Sequence, residues 1–158
     1  MVTPSFGQLD WLELCLASVR DQVESSMEQG GAEGHDHRAT SGETRAAALG
    51  LTIEHIVCDG GSPGIEDFKQ RMLERFPESP NYRLDFVIGP DEGMYDAINK
   101  GLRRANGEVC SYLNCDEQFL PGSLAVVAEF FQGHADTEVV FGDTIVVGRE
   151  GGPLCYWR

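Results

Sequence analysis

Residues 51–64 read LTIEHIVCDGGSPG, an apolar run that ends abruptly in strong turn formers. Leu51 to Cys58 carries the Ile, Val and Thr content of a buried strand, and Asp59-Gly60-Gly61-Ser62-Pro63-Gly64 stops it. Downstream, Ile65, Phe68, Met72, Leu73 and Phe76 recur at helical spacing until Pro77, so a helix with those residues facing inward is expected. A strand followed at once by a helix is the unit from which parallel sheets are built.

The same alternation extends in both directions. Upstream, Val2 runs into Thr3-Pro4-Ser5 as a short first strand. Leu12, Cys15, Leu16 and Val19 then form a helical stripe, with Asp10 and Glu13 at capping-box spacing. Downstream come a strand at Leu84–Ile88 and a helix from Met94 to Ala105, its apolar side made of Met94, Ala97, Ile98, Leu102 and Ala105. A strand at Val109–Leu113 and a helix opened by Pro121-Gly122-Ser123 and running to Phe131 follow. Val139–Phe141, Thr144–Val147 and Leu154–Trp157 are short extended pieces. The order predicts an α/β sandwich with a mostly parallel central sheet. Residues 23–50 break the pattern. They are rich in Gly, Glu, Ser, Thr and Ala and are expected to form a flexible insertion, with His35-Asp36-His37 as a solvated stretch in it.

Composition narrows the function. The 158 residues are 41% hydrophobic and 24% charged, which suits one globular domain. With 26 acidic against 12 basic residues the net charge is −14, and that field argues against nucleic acid or an anionic membrane as the main partner. The five cysteines form no CxxC pair and are expected to be reduced and mostly buried. No apolar run has the length of a membrane span and no signal-peptide pattern opens the chain, so a cytoplasmic location is the default expectation.

Ligands of open α/β sheets bind beyond the carboxyl ends of the strands. There this chain places Thr3, Pro4 and Ser5, then Asp59, Gly60, Gly61 and Ser62, then Asp91, Glu92 and Gly93, then Asn114, Asp116 and Glu117, and later Asp143. Carboxylates gathered at one edge repel each other unless a cation shares them, and Mg²⁺ or Mn²⁺ is the simplest such cation. Read singly, each of these acids could equally cap a helix or close a turn.

Four of these segments together carry a family likeness. Val2-Thr3-Pro4-Ser5-Phe6, Ile56-Val57-Cys58-Asp59-Gly60-Gly61-Ser62, Gly89-Pro90-Asp91-Glu92-Gly93-Met94-Tyr95-Asp96-Ala97-Ile98-Asn99-Lys100-Gly101, and Ser111 to Glu117 followed by Pro121-Gly122-Ser123-Leu124 resemble, in order and spacing, the family 2 glycosyltransferases. The resemblance implies a GT-A-like three-layer sandwich, with a Rossmann-like sheet and helices on both faces. It implies an inverting, metal-dependent transfer of sugar from a nucleotide-diphosphate sugar, UDP-type, to an acceptor hydroxyl, in cell-surface polysaccharide biosynthesis. The implied donor site comprises Thr3, Pro4, Ser5, Asp59, Gly60, Asp91, Gly93, Asp96, Asn99, Lys100 and Asn114. Within it Thr3-Pro4 and Asp59 contact the nucleoside, while Asp96, Asn99 and Lys100 lie along the nucleotide and phosphate path. Asp116, with Glu117 beside it, would hold Mg²⁺ or Mn²⁺.

Asn114 stands where the family's motif has its first acid, and Glu117 where Asp is common. The family's catalytic base is expected beyond Arg158, so the chain reads as a fragment or an unusually short member. A catalytically silent nucleotide-diphosphate-binding module is the second reading. An Asp-x-Asp phosphohydrolase is disfavoured because Asn114 is no nucleophile, and a Rossmann oxidoreductase because residues 59–64 are not GxGxxG.

Overall fold

A computed structural model describes residues 1–23, 46, 49–148 and 150–157. The heart of the expected insertion, residues 24–45, and the His35-Asp36-His37 stretch lie outside the described residues. Three parallel strands form the main sheet: β1 (Val2–Ser5), β2 (Ile53–Asp59) and β3 (Tyr82–Ile88), in the order β1-β2-β3. The register sets Ser5 beside Asp59 and Asp59 beside Ile88, so the three strands end at one edge. Beyond β1 the chain returns at Tyr112, which bridges Val2 in parallel. Val2 donates to the Ser111 carbonyl and Leu113 donates to the Val2 carbonyl, both at 2.9 Å. Strand order therefore reverses at β1, which gives the sheet a topological switch point there.

Helices cover both faces. α1 (Leu9–Arg20) and α2 (Ile65–Arg75) pack on one face, where Leu12, Cys15, Leu16, Val19, Phe68 and Met72 join Val57, Phe86 and Leu113 in the larger core. On the other face α3 (Met94–Leu102) places Ala97 against Val2, Ile56 and Cys58. This is the α/β three-layer arrangement that the alternation predicts. Gly101, in the last turn of α3, makes the close contact possible, since a Cβ there would lie 2.4 Å from Val2 Cγ1 and 3.1 Å from Cys58 Sγ. The residue facing the sheet is thus Gly101, whereas Leu102 and Met94 are partly exposed.

Other expectations need correction. Val109–Leu113 is not a full strand. Val109 and Tyr112 are exposed and only Leu113 reaches the core, and pairing stops at one bridge. Val139–Phe141 forms no strand, and Phe141 is 91% exposed. Leu73 turns outward because Ile65, Phe68, Met72 and Phe76 already fill the inward stripe of α2. Asp10 and Glu13 form no capping box. The N-cap is Gln8 without a side-chain bond, Asp10 sits in the first turn, and Glu13 pairs with Arg75. The cysteines are mostly buried, as expected: Cys15, Cys58 and Cys115 are buried, while Cys110 and Cys155 are exposed.

The last helix, α4 (Ser123–Gly133), buries only Ala125, and the antiparallel hairpin β4 (Thr144–Val147) and β5 (Pro153–Trp157) is exposed throughout. Two polar side chains of the α1 end tie the stretch before α4 to the body. Ser18 Oγ accepts from Phe119 N–H at 3.2 Å, and Gln22 donates to the Leu120 carbonyl and accepts from Leu124 N–H. No helix among the described residues is long and apolar enough to cross a membrane.

One polar network lies inside the core. His55 is fully buried on β2, with Nε2 2.9 Å from Thr3 Oγ1 and Nδ1 3.1 Å from the Tyr82 hydroxyl. Both hydroxyls can donate or accept, so a neutral imidazole is satisfied at both nitrogens. Burial holds its pKa down to about 3, against the usual 6.5. The unfolded chain therefore binds the extra proton first. Stability is complete above pH 6.5 and falls as the pH drops toward 3, by about 1 kcal/mol per pH unit. In urea titrations between pH 7.5 and 4, His55→Asn is expected to start less stable than the wild type and to lose stability less steeply. Equal slopes would show that the imidazole is not held neutral.

Candidate functional site

The edge where β1, β2 and β3 end carries three loops. The first follows β2. Asp59 is 1% exposed, and its carboxylate organises the turn that follows it. Oδ1 accepts from the N–H groups of Gly61 (2.9 Å) and Ser62 (2.6 Å), and Oδ2 accepts from the Ser62 hydroxyl (2.7 Å). Ser62 Oγ in turn accepts from Gly7 N–H at 2.6 Å, and Gly60 N–H donates to the Ser5 carbonyl at 3.0 Å. The turn after β2 is so stitched to the turn after β1. Gly61 has φ +99°, a conformation open to glycine at little cost.

The second loop follows β3. Gly89 N–H donates to the Asp59 carbonyl, which joins it to the first. Asp91 Oδ1 accepts from Gly93 N–H at 2.9 Å. Asp91 Oδ2 points at Gly60, where an added Cβ would lie only 2.9 Å from it and 3.1 Å from Phe6. Between the loops lies a cavity of about 220 Å³ lined by Cys58, Asp59, Val87, Ile88, Gly89, Pro90, Asp91, Ala97 and Lys100. It is smaller than the roughly 300–1,000 Å³ of sites that enclose a drug-sized ligand, so it suits one ring-sized fragment. Burial pushes the Cys58 thiol up to about 11, which keeps this part of the wall uncharged at neutral pH. Lys100 Nζ donates to the Pro90 carbonyl at 2.8 Å and pairs with Asp96 at 2.7 Å. The Lys100 hydrogen bond and the Glu92 N–H hold the Asp96 carboxyl below its ordinary range.

The third segment is the turn after the Tyr112 bridge. Asn114 N–H donates to Glu117 Oε2, and Glu117 N–H donates to the Asn114 carbonyl. Asn114 Oδ1 is buried and has no hydrogen-bond partner among the described residues. Asp116 is exposed, with no side-chain partner among them.

The acids do not form the shared cluster expected from their joint position. No group of three or more His, Cys, Asp or Glu could hold a metal among the described residues. Asp59, Asp91, Asp96 and Glu117 each accept from backbone N–H groups instead, as turn-forming acids do. A divalent cation that arrives with a diphosphate needs only one or two protein carboxylates, because phosphate oxygens and waters complete its shell. The free carboxylate of Asp116 and the orphaned Asn114 oxygen in the same turn fit that demand.

The expected site residues fall into three groups. Asp59, Asp91 and Lys100 line the cavity, with Gly60 and Gly93 in its loops. Asn114, Asp116 and Glu117 share the third segment, while Asn99 is exposed on α3. Thr3, Pro4 and Ser5 are buried in β1, and the Thr3 side chain belongs to the core through His55 and not to the edge. Phe6 and Cys58 are additions, while Ser62, expected at the strand end without a donor role, joins the site through Asp59. Ser62 is the one with a readable signal, a hydroxyl three residues after an acid that opens a turn.

The sequence model of Glycosyl transferase family 2 matches residues 1–154. The chain belongs to that family. It is 32% identical over 95 residues to a PGL/p-HBAD biosynthesis glycosyltransferase of Mycobacterium tuberculosis, which covers 60% of this chain and 36% of that protein. It is 28% identical over 159 residues to an uncharacterized glycosyltransferase of the same organism, covering 98% of this chain and 49% of that protein. A further uncharacterized glycosyltransferase, from Nostoc, is 29% identical over 77 residues, 49% of this chain and 23% of that protein. The chain therefore spans about half, or less, of the curated relatives it matches.

The loop bonds make Asp59 a structural determinant of the edge. Asp59→Ala strands three donors and is expected to lower unfolding free energy by about 2–4 kcal/mol in urea. A loss below about 0.5 kcal/mol would show that water replaces the carboxylate there.

Proposed function

We propose that this chain is the donor-binding part of a glycosyltransferase that moves a sugar from a nucleotide-diphosphate donor, UDP-type, to an acceptor hydroxyl with inversion. The observation that carries the reading is the convergence of three segments at one sheet edge. These are the Asp59–Ser62 turn, the Gly89–Gly93 loop with its cavity, and the Asn114–Glu117 turn beside the switch point. Family membership supports a nucleotide sugar as the ligand.

In this reading the cavity takes the ring end of the nucleotide. Its walls are apolar at Val87, Ile88, Pro90 and Ala97, and polar at Asp59, Asp91 and Lys100. The diphosphate extends toward the third segment. Asp116, with Glu117 beside it, would hold Mg²⁺ or Mn²⁺, and Asn114 Oδ1 would accept from a hydroxyl or a bound water. A cation so placed supplies charge stabilisation for the leaving diphosphate. One observation favours a second reading, a nucleotide-diphosphate-binding module without turnover. Both carboxylates that line the cavity, Asp59 and Asp91, already accept from a backbone N–H, as Asp96 does on α3, and are poorly placed to serve as a free base.

Calorimetric titration of UDP and GDP, with and without Mn²⁺, tests the proposal. Binding of UDP that requires Mn²⁺ and weakens about tenfold or more in Asp116→Asn is the expected result. Binding that ignores both the metal and the substitution would remove Asp116 from the site. Sugar release from a UDP-sugar by the same protein would decide against the silent module.

A further inference from the structure

Lys100 invites assignment as a phosphate ligand, yet its ammonium is already engaged. It lies 2.8 Å from the Pro90 carbonyl and 2.7 Å from Asp96 Oδ2, and its side chain is 35% exposed. Asp96 Oδ2 also accepts from Glu92 N–H at 3.1 Å. Asp91 Oδ1 accepts from Gly93 N–H at the point where α3 begins. The backbone of residues 90, 92 and 93 is thereby held by side chains from the loop itself and from the first two turns of α3. The loop so held directs Asp91 Oδ2 toward Gly60, and its Gly89, Pro90 and Asp91 line the cavity.

We infer that Lys100 and Asp96 are a positioning pair that sets the Gly89–Gly93 loop over the cavity, and that Lys100 acts on the ring end of the nucleotide instead of on its diphosphate. The inference rests on the nucleotide-binding reading above. An exposed Lys–Asp pair four residues apart on a helix contributes little by itself. This one differs because the same ammonium also grips a carbonyl ten residues back, outside the helix. A diphosphate that recruited Lys100 would compete with Asp96 for it and free the loop that shapes the cavity. Lys100 also lines the cavity, but its ammonium is spent on Pro90 and Asp96, so its action on the ligand is that of a positioning residue that holds the loop.

The two roles separate by which part of the ligand feels the substitution. A phosphate ligand affects only phosphorylated ligands, whereas a loop clamp affects the nucleoside as well. NMR shift titrations with uridine and with UDP plus Mg²⁺ would be run on the wild type, Lys100→Met, Asp96→Asn and the double variant. Amide dispersion in each spectrum confirms folding. The expected result is that Lys100→Met weakens uridine and UDP by the same factor, about tenfold. Asp96→Asn should do likewise, and the double variant should be no worse than either single one. Loss of UDP affinity with uridine affinity unchanged would overturn the positioning role and leave the nucleotide-binding reading standing. A wild type that binds neither uridine nor UDP would overturn both.

Discussion

The parallel pairing of β1 with β2 is the constraint on which the rest depends. Four buried residues, Val2 to Ser5, lie between β2 and the returning chain at Tyr112. Their register with Ile56–Asp59 brings two turns side by side, where Ser62 Oγ and the Ser5 carbonyl lace them together. On one face β1 offers Thr3 to His55, and on the other it offers Val2 to Gly101. A shift of one residue would reverse those faces and separate the loops.

Much of this order was readable in residue pattern. The α1 stripe shows its helix by period, and β2 shows its strand by its short length, its Ile and Val content and the Gly-rich turn that stops it. Residues that depend on a neighbouring layer were less legible. Leu73 and Leu102 have the right spacing for the core, but nearer residues, Met72 and Gly101, occupy the contact. Val109–Leu113 has strand composition, but only Leu113 packs on a layer. Periodicity shows which face a residue occupies and says nothing of what covers that face.

The site divides along the same line. The strand-end placement of Asp59, Asp91 and Asp116 follows from topology, which the alternation of elements predicts. Whether a carboxylate is free or already satisfied is a matter of local backbone geometry. Asp59 and Asp91 each turn Oδ1 to the N–H groups of the turns they open. Asp116 lies in the third segment without such a partner among the described residues, which is what distinguishes it as the metal candidate. The engagement of Lys100 with Pro90 and Asp96 is a contact between helix and loop that no motif spacing displays.

These features describe one edge with three separately built parts: a fixed turn, a loop clamped over a ring-sized cavity, and a segment with an exposed carboxylate. In the proposed function one ligand spans all three. Amide hydrogen exchange with and without UDP and Mn²⁺ tests that most directly. Simultaneous protection at residues 60–62, 90–93 and 114–117, with β4 and β5 unchanged, is the expected result. Protection confined to one of those segments, or none at saturating UDP, would contradict it.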